Sequence, residues 1–151
     1  MTHTRLIPAA YRRGQRGFGL IEVLVAVVVL SIGLLGLAGL QLRTIRNNES
    51  SFERGLAVVE THSIADAMRA DRTNAINGNF NIAMGAAPPT GTTFADTAVA
   101  SWRGNLTALL GSTASGSVAC NGSACTIVVQ WDDTRATSGT NTYSITTQVQ
   151  L

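Results

Sequence analysis

The chain has 151 residues, enough for one domain and a membrane segment, and it is 45% hydrophobic with only 13% charged residues. Four of its eleven basic residues lie within residues 1–17, so seven arginines face nine acidic residues in the remainder, a formal charge of −2. This distribution argues against nucleic-acid binding, because no basic surface remains on the domain to neutralise phosphates.

Residues 1–17 form a short basic segment without acidic residues, which we predict to be a leader peptide that is cleaved off. Residues 18–42 follow as an apolar stretch that only Glu22 interrupts. Positions 23–42 are 20 residues without a charge. A helix of that length spans about 30 Å, the thickness of a bilayer core, so residues 18–42 are predicted to cross a membrane.

Residues 43–76 are predicted to continue this helix as an amphipathic segment, since the next proline is Pro88. Four apolar residues recur at helical spacing on one face: Ile45, Phe52, Leu56 and Val59. Beyond Thr61 the apolar positions drift to another side, with Ile64 and Met68. A helix covered on two sides would show this drift, and so would a kink near Thr61.

Residues 77–116 are interpreted as a connecting region that contains one short helix. Glycine and proline are frequent over residues 77–94 and mark a loop. Residues 96–110 then show helical periodicity, and residues 111–116 break the chain again. The predicted inner face of the short helix comprises Val99, Trp102, Leu106 and either Leu109 or Leu110.

Residues 117–151 change to a period of two and are predicted to form an antiparallel sheet. A β-branched and aromatic run covers residues 125–132, and residues 143–151 alternate between apolar and polar. Asn121-Gly122 is a hairpin signal that turns a third strand back onto these two. The predicted fold class is therefore α+β, with a long N-terminal helix packed on a small C-terminal antiparallel sheet.

Asp132 and Asp133 follow the predicted strand of residues 125–132. Fewer than half of the oxygen ligands that calcium requires can be identified around them. We therefore expect a solvated turn at this position, and the sequence predicts no metal site and no cofactor.

Glu22 is unusual because a carboxylate within an apolar stretch is unfavourable, by about 2.5–3.5 kcal/mol at the bilayer centre and less near its surface. One interpretation is that Glu22 meets a positive group, either the positive end of the helix or a free amine at Phe18. If Glu22 instead paired with the Phe18 amine of a neighbouring chain, this contact would set the axial step between subunits of a filament. The alternative is a glutamate that reaches the lipid headgroups from an ordinary membrane anchor.

The stretch from Gly17 to Val23 (GFGLIEV) resembles the prepilin processing motif of type IV pilins and type II secretion pseudopilins. In that family a membrane aspartyl peptidase cuts after the glycine and methylates the new N-terminal residue. The resemblance makes Gly17 the last leader residue, Phe18 the N-methylated residue and Glu22 the assembly glutamate. Gly19 departs from the family, in which threonine or serine is usual at that position.

Most of residues 17–151 also resembles the PilV-type minor pilins, also called type IV pilus modification proteins. The resemblance rests on the segment from Ile64 to Arg72 (IADAMRADR), Trp102 in the short helix, the paired cysteines and the run from Val129 to Asp133 (VQWDD). It implies a pilin-like fold.

Three glycines in the membrane segment recur at three-residue intervals: Gly33, Gly36 and Gly39. Glycine permits close approach of helices, and it also lowers helix stability by about 1 kcal/mol relative to alanine. In assembled pili of the resembled family the helix can lose its regular form in this region. Glycine is nevertheless common in membrane helices, so both interpretations remain open.

Cys120 and Cys125 are the only cysteines. In an exported domain their even number and close spacing favour a disulfide, whereas in the cytosol they would be free thiols. A zinc site would need two more ligands, and the only histidines are His3 and His62. His62 is expected at the surface, and no catalytic set is recognised.

These observations favour a minor pilin that assembles into, primes or modifies a type IV pilus, with roles in adhesion or twitching motility. By resemblance its partners are other major and minor pilins, contacted through the N-terminal helix, the prepilin peptidase and the inner-membrane assembly machinery. The expected location is the bacterial inner membrane, single-pass with a periplasmic C-terminal domain, and after assembly the pilus at the cell surface.

Two alternatives remain open from the sequence. The first is a type II secretion pseudopilin, which shares the processing motif. The second belongs to another class, a soluble periplasmic binding domain that an ordinary signal peptidase would release by cutting after Ala38.

Overall fold

The computed structural model describes residue 17 and residues 19–151, and the chain divides into two compact units between Leu40 and Gln41. Helix α1 spans Leu20–Ala70, and α2, Arg72–Ile76, follows it. The absence of proline from this stretch allows such a long helix. The residues of α1 up to Leu40 belong to the first unit, and those from Gln41 onward belong to the second.

Helix α3, Phe94–Leu110, lies between the loop that contains the prolines and the sheet. Its first turn is closed by a capping box, in which Thr93 accepts from the Asp96 N–H and the Asp96 side chain accepts from the Thr93 N–H. The helix ends at Gly111, whose φ of 103° is a conformation that favours glycine. Sequence-local signals therefore fix both ends of α3.

Three antiparallel strands form one sheet in the order β1-β2-β3: β1 is Ser115–Asn121, β2 is Ala124–Trp131 and β3 is Tyr143–Gln150. The β1–β2 hairpin pairs Asn121 with Ala124, and Gly122 in its turn has a φ of 62°. β2 pairs with β3 from Ala124↔Gln150 to Trp131↔Tyr143. The α+β fold class predicted from the sequence is confirmed.

The core of the second unit lies among α1, α3 and the sheet. The largest fully buried apolar side chains come from all three and, with Phe80, from the loop before α3: Ile64, Met68, Phe80, Val99, Leu106, Leu110, Val118, Ile127, Val129 and Trp131. Leu110 faces inward, whereas Leu109 is 46% exposed. Trp102 Nε1 donates to the Glu60 carbonyl oxygen at 3.0 Å and ties α3 to α1.

Gly116 allows α3 to lie close to β1. A Cβ atom at this position would stand 2.3 Å from Cη2 of Trp102 and 2.8 Å from Cδ1 of Leu106. Any larger residue would force the two elements apart, because a packed core has no free volume to absorb it.

Candidate functional site

Of the predicted functional residues at the N-terminus, Glu22 lies in the first turn of α1 and Gly17 precedes the helix. Gly17 is exposed, and the Glu22 N–H donates to the Gly19 carbonyl oxygen at 3.0 Å. Phe18 and residues 1–16 lie outside the described residues, so the free Phe18 amine and the cleaved leader stay predictions from the sequence. Glu22 is exposed and occupies the positive end of the helix dipole, which favours its carboxylate.

The N-terminal part of α1 is long and apolar enough to cross a membrane, and it is the one helix among the described residues that meets this test of length and composition. Its most apolar 18-residue window has a mean hydropathy of 2.8, and none of that window is buried in the chain. A single chain therefore leaves a large apolar surface uncovered, which a lipid or protein environment would have to cover.

The three glycines of this segment, Gly33, Gly36 and Gly39, all lie within α1 and are helical in the single chain. A Cβ atom at any of them would meet no atom within 4 Å. Nothing in the part of the chain that the structure describes therefore requires glycine at these positions. One purpose that these glycines could serve is the close approach of a helix from another chain.

Beyond the membrane segment, α1 has two sides with different roles. The side toward the core buries Ala57, Ile64 and Met68. The apolar face predicted from the sequence lies elsewhere and remains accessible, with Ile45 62%, Phe52 67% and Val59 61% exposed and Leu56 half-buried. The drift of apolar positions near Thr61 thus marks the change from one side of the helix to the other.

Asp133 corrects the expectation of a solvated turn after β2, because the residue has no exposed surface. Its Oδ2 atom accepts from Ser50 Oγ at 3.0 Å and from Arg54 Nη2 at 3.1 Å. The Asp133 N–H donates to the Thr140 carbonyl oxygen, and its own carbonyl accepts from the Ala136 N–H. Asp133 therefore joins α1 to the loop of residues 132–142.

Arg135 makes a second connection between this loop and α1. Its Nη1 atom lies 3.1 Å from Glu49 Oε1, and its Nη2 atom contacts the carboxylate of Glu53, which is largely buried. Arg54 adds a cation–π contact, with its guanidinium carbon 4.2 Å from the centre of the Tyr143 ring. The loop is thus held by charge pairs rather than by apolar packing.

The domain is expected to lose stability as the pH rises from 4.5 through the raised pKa of Glu53. Burial raises the pKa of this carboxyl above its ordinary value of 4.5, although Arg135 opposes the shift, and the neighbouring Glu49, Asp133 and Asp132 add to it. The folded state therefore binds the proton more tightly than the unfolded state, so removal of the proton with rising pH favours unfolding.

Asp132 provides a control of opposite sign. Hydrogen bonding from the Thr134 N–H lowers the pKa of Asp132 below its ordinary value of 3.8, so its contribution is present above that pH and lost as the pH falls through the lowered pKa. Thermal unfolding measured against pH should show that Glu53→Gln removes the decline above pH 4.5. Asp132→Asn should leave that decline intact, and a wild-type slope in Glu53→Gln would contradict the assignment.

Cys120 and Cys125 form a disulfide, in agreement with the prediction for an exported domain. They are direct partners in the β1–β2 register, so the bond staples the end of the hairpin. Closing so small a loop stabilises the fold by about 2 kcal/mol in the chain-entropy model.

Arg103 is a structural residue that periodicity could not identify, because it lies on the inner side of α3 and is buried. Its guanidinium donates to the carbonyl oxygens of Gly116 at 2.7 Å and Ala86 at 2.9 Å. Burial lowers the pKa of Arg103. The side chain therefore fastens the loop before α3 to β1.

Two candidates from the sequence remain, His62 and a metal site. His62 is exposed on α1, as expected of a surface histidine. Within the part of the chain that the structure describes, no group of three or more His, Cys, Asp or Glu side chains could hold a metal ion.

Comparison with known proteins identifies one family model, the prokaryotic N-terminal methylation motif, which matches residues 12–38. No curated protein and no solved structure matches the chain. The match covers the predicted cleavage position, Glu22 and the exposed apolar part of α1. Together with the α+β fold, this match supports a type IV pilin-like protein that is anchored in a membrane. Proteins with this motif have a structural role.

Proposed function

We propose that this chain is a minor pilin, which is processed by the prepilin peptidase between Gly17 and Phe18 and then assembles into, primes or modifies a type IV pilus. The observation that carries the proposal is the methylation motif over residues 12–38, placed directly before and within a helix segment that the chain itself leaves entirely exposed. A segment of this kind is suited first to the bilayer and then to the apolar interior of a filament.

Two features of the second unit support an assembled state. The exposed apolar face of α1 that contains Ile45, Phe52 and Val59 lies beyond the stretch that a bilayer covers, so its partner would be protein. The disulfide suits a domain on the periplasmic side, with the basic leader retained in the cytoplasm. In this arrangement residues 18–42 contact other major and minor pilins, and the domain reaches the cell surface in the filament.

The resemblance to PilV-type proteins favours a pilus over a type II secretion pseudopilus. It rests on the segment from Ile64 to Arg72, the paired cysteines and the end of β2. Adhesion and twitching motility are the processes in which a modified pilus would act. Loss of the chain should then reduce piliation and leave type II secretion intact.

The processing step is tested by the N-terminus and intact mass of the chain in membranes of cells with and without an active prepilin peptidase. The proposal expects a methylated Phe18 at the N-terminus in the first case and Met1 in the second. A soluble form that begins at Gly39 would instead support release by an ordinary signal peptidase and would overturn the proposal.

A further inference from the structure

The hydrogen-bond ladder fixes which backbone groups of β3 face away from the sheet. The Leu151 N–H donates to the Ser123 carbonyl oxygen at 2.9 Å, immediately beyond the end of the β2–β3 pairing. Because the direction of the backbone groups alternates along an antiparallel strand, the odd-numbered residues of β3 face β2. The outward groups, four N–H and four C=O, therefore belong to Ser144, Thr146, Gln148 and Gln150.

The opposite edge of the sheet, β1, is closed by the chain itself. Val118 exchanges two hydrogen bonds with Ile82, at 2.9 and 3.0 Å. The Cys120 N–H donates to Asn81 Oδ1 at 2.8 Å, and the Gly116 carbonyl oxygen accepts from Arg103 at 2.7 Å. Three separate contacts thus cover both outward groups of Val118, the Gly116 C=O and the Cys120 N–H.

The edge of β3 has none of these contacts. Among the described residues, no backbone or side-chain group bonds to the outward N–H and C=O groups of β3. The strand has no proline, no bulge and no charged side chain, which are the usual means of preventing edge-to-edge pairing. The side chains of β3 that face the core, including those of Ile145 and Val149, are only half-buried. Apolar surface is therefore also left along this edge.

We infer that β3 is an interaction surface, which accepts an extended and uncharged strand from a different neighbouring protein and thereby adds a fourth strand to the sheet. The main-chain groups of residues 144–150 would supply affinity, as in other cases of strand addition. The neighbour would place apolar side chains at alternate positions, next to Ile145 and Val149. It would carry no charge there, because β3 offers no charged partner.

The direction of α1 argues against a second copy of this chain that pairs antiparallel with β3. Arg54 packs on Tyr143 and Arg72 donates to the Leu151 carbonyl oxygen, so the chain from Arg54 to Arg72 runs in the same direction as β3. Antiparallel pairing of two β3 strands, about a twofold axis perpendicular to the sheet, would reverse α1 in one copy. The stretch of α1 from residue 43 to residue 70 is about 40 Å long. Residue 43 of one copy and residue 43 of the other would therefore lie at opposite ends of the paired chains.

Two chains that both emerge from one membrane at residue 43 cannot adopt that arrangement. This step rests on the proposed function, which anchors residues 18–42 in the inner membrane. A non-identical neighbour has no such constraint and can present its strand in either direction.

Amide hydrogen exchange of the purified full-length chain in detergent tests the open edge. The probe is a synthetic peptide with the sequence of residues 143–151 (YSITTQVQL), which is free to pair in any direction. At about 1 mM peptide, exchange of the Thr146 and Gln148 amides should slow by about tenfold or more, since a paired amide exchanges only on opening. Unchanged exchange of these amides would overturn the inference.

Thr146→Pro and Thr146→Val separate strand addition from other contacts. Proline removes an outward N–H without breaking a bond to β2, whereas valine retains the N–H and changes only the side chain. Peptide protection should be lost in Thr146→Pro and kept in Thr146→Val. Equal protection in both variants would overturn the strand-addition geometry, and this result does not depend on whether the chain enters a pilus.

The identity of the neighbour is tested in cells with the full-length chain carrying a photo-reactive p-benzoylphenylalanine in place of Gln148. The expected cross-link lies in an extended segment of a different protein and disappears when Thr146→Pro is added. A cross-link to β3 of a second copy, or one that survives Thr146→Pro, would overturn the assignment. An uncleaved Met1 N-terminus in the same cells would instead count against the proposed function alone.

Discussion

Replacing Glu22 by alanine is expected to lower the amount of this chain in sheared filaments by about 100-fold, while the leader is still removed. In the apolar interior of a filament the carboxylate would pair with the Phe18 amine of a neighbour. Breaking a buried charge pair by removing one partner costs about 3 kcal/mol or more, and each 1.4 kcal/mol is about a factor of ten in an equilibrium. Quantitative immunoblots of the filament and membrane fractions measure the effect.

Two further substitutions at Glu22 separate charge from shape. Glu22→Gln retains size and hydrogen bonding but lacks the charge, so its recovery should fall as far as that of the alanine variant. Glu22→Asp keeps the charge and should recover part of the assembly. Normal recovery of Glu22→Gln would contradict pairing with an amine, and normal recovery of Glu22→Ala would remove any assembly role for the residue.

Sequence periodicity was sufficient to predict the fold class. The alternation from Tyr143 onward matches β3, whose residues are half-buried and exposed in turn. Val99, Trp102 and Leu106 share the buried side of α3 as their spacing indicates. Local signals such as Asn121-Gly122 and the Thr93 capping box act over a few residues, and such signals can be read without knowledge of the tertiary structure.

Features that depend on distant residues could not be predicted in the same way. Asp133 is separated by 83 residues from Ser50 and by 79 from Arg54, so two adjacent aspartates in a polar loop gave no sign that one is buried. Likewise, periodicity places Phe52 on an apolar face but does not say whether the chain itself covers that face. Only the position of the core among α1, α3 and the sheet decides this question.

The open edge of β3 is another feature that depends on distant residues. The alternation of apolar and polar residues in β3 does not distinguish an edge strand from a central one. The significance of this edge comes from the contrast with β1, where Asn81, Ile82 and Arg103 provide partners. These three residues come from the connecting region and α3, not from the sheet. Strand order and the phase of the ladder are needed before the two edges can be compared.

Asp133→Ala is expected to destabilise the domain by about 2–3 kcal/mol, corresponding to a fall in Tm of about 10 °C or more for a domain of this size. The substitution removes two hydrogen bonds to a carboxylate that is fully buried and leaves the buried Ser50 hydroxyl without this acceptor. The Arg54 side chain is 45% exposed and can return to water, which keeps the loss below that of a fully buried pair.

A matched control is Asp66→Ala, which removes another aspartate–arginine pair. Its partner Arg69 is closer, at 2.7 Å against 3.1 Å for Arg54 and Asp133, but both side chains are exposed, 71% for Asp66 and 49% for Arg69. Surface pairs contribute about 0.5 kcal/mol or less, so Asp66→Ala should scarcely change the unfolding midpoint. Equal losses in the two variants would show that distance, and not burial, determines the strength of these pairs. A large loss confined to Asp133→Ala, together with faster amide exchange in residues 134–142, would establish that this one buried carboxylate holds the β2–β3 loop on α1.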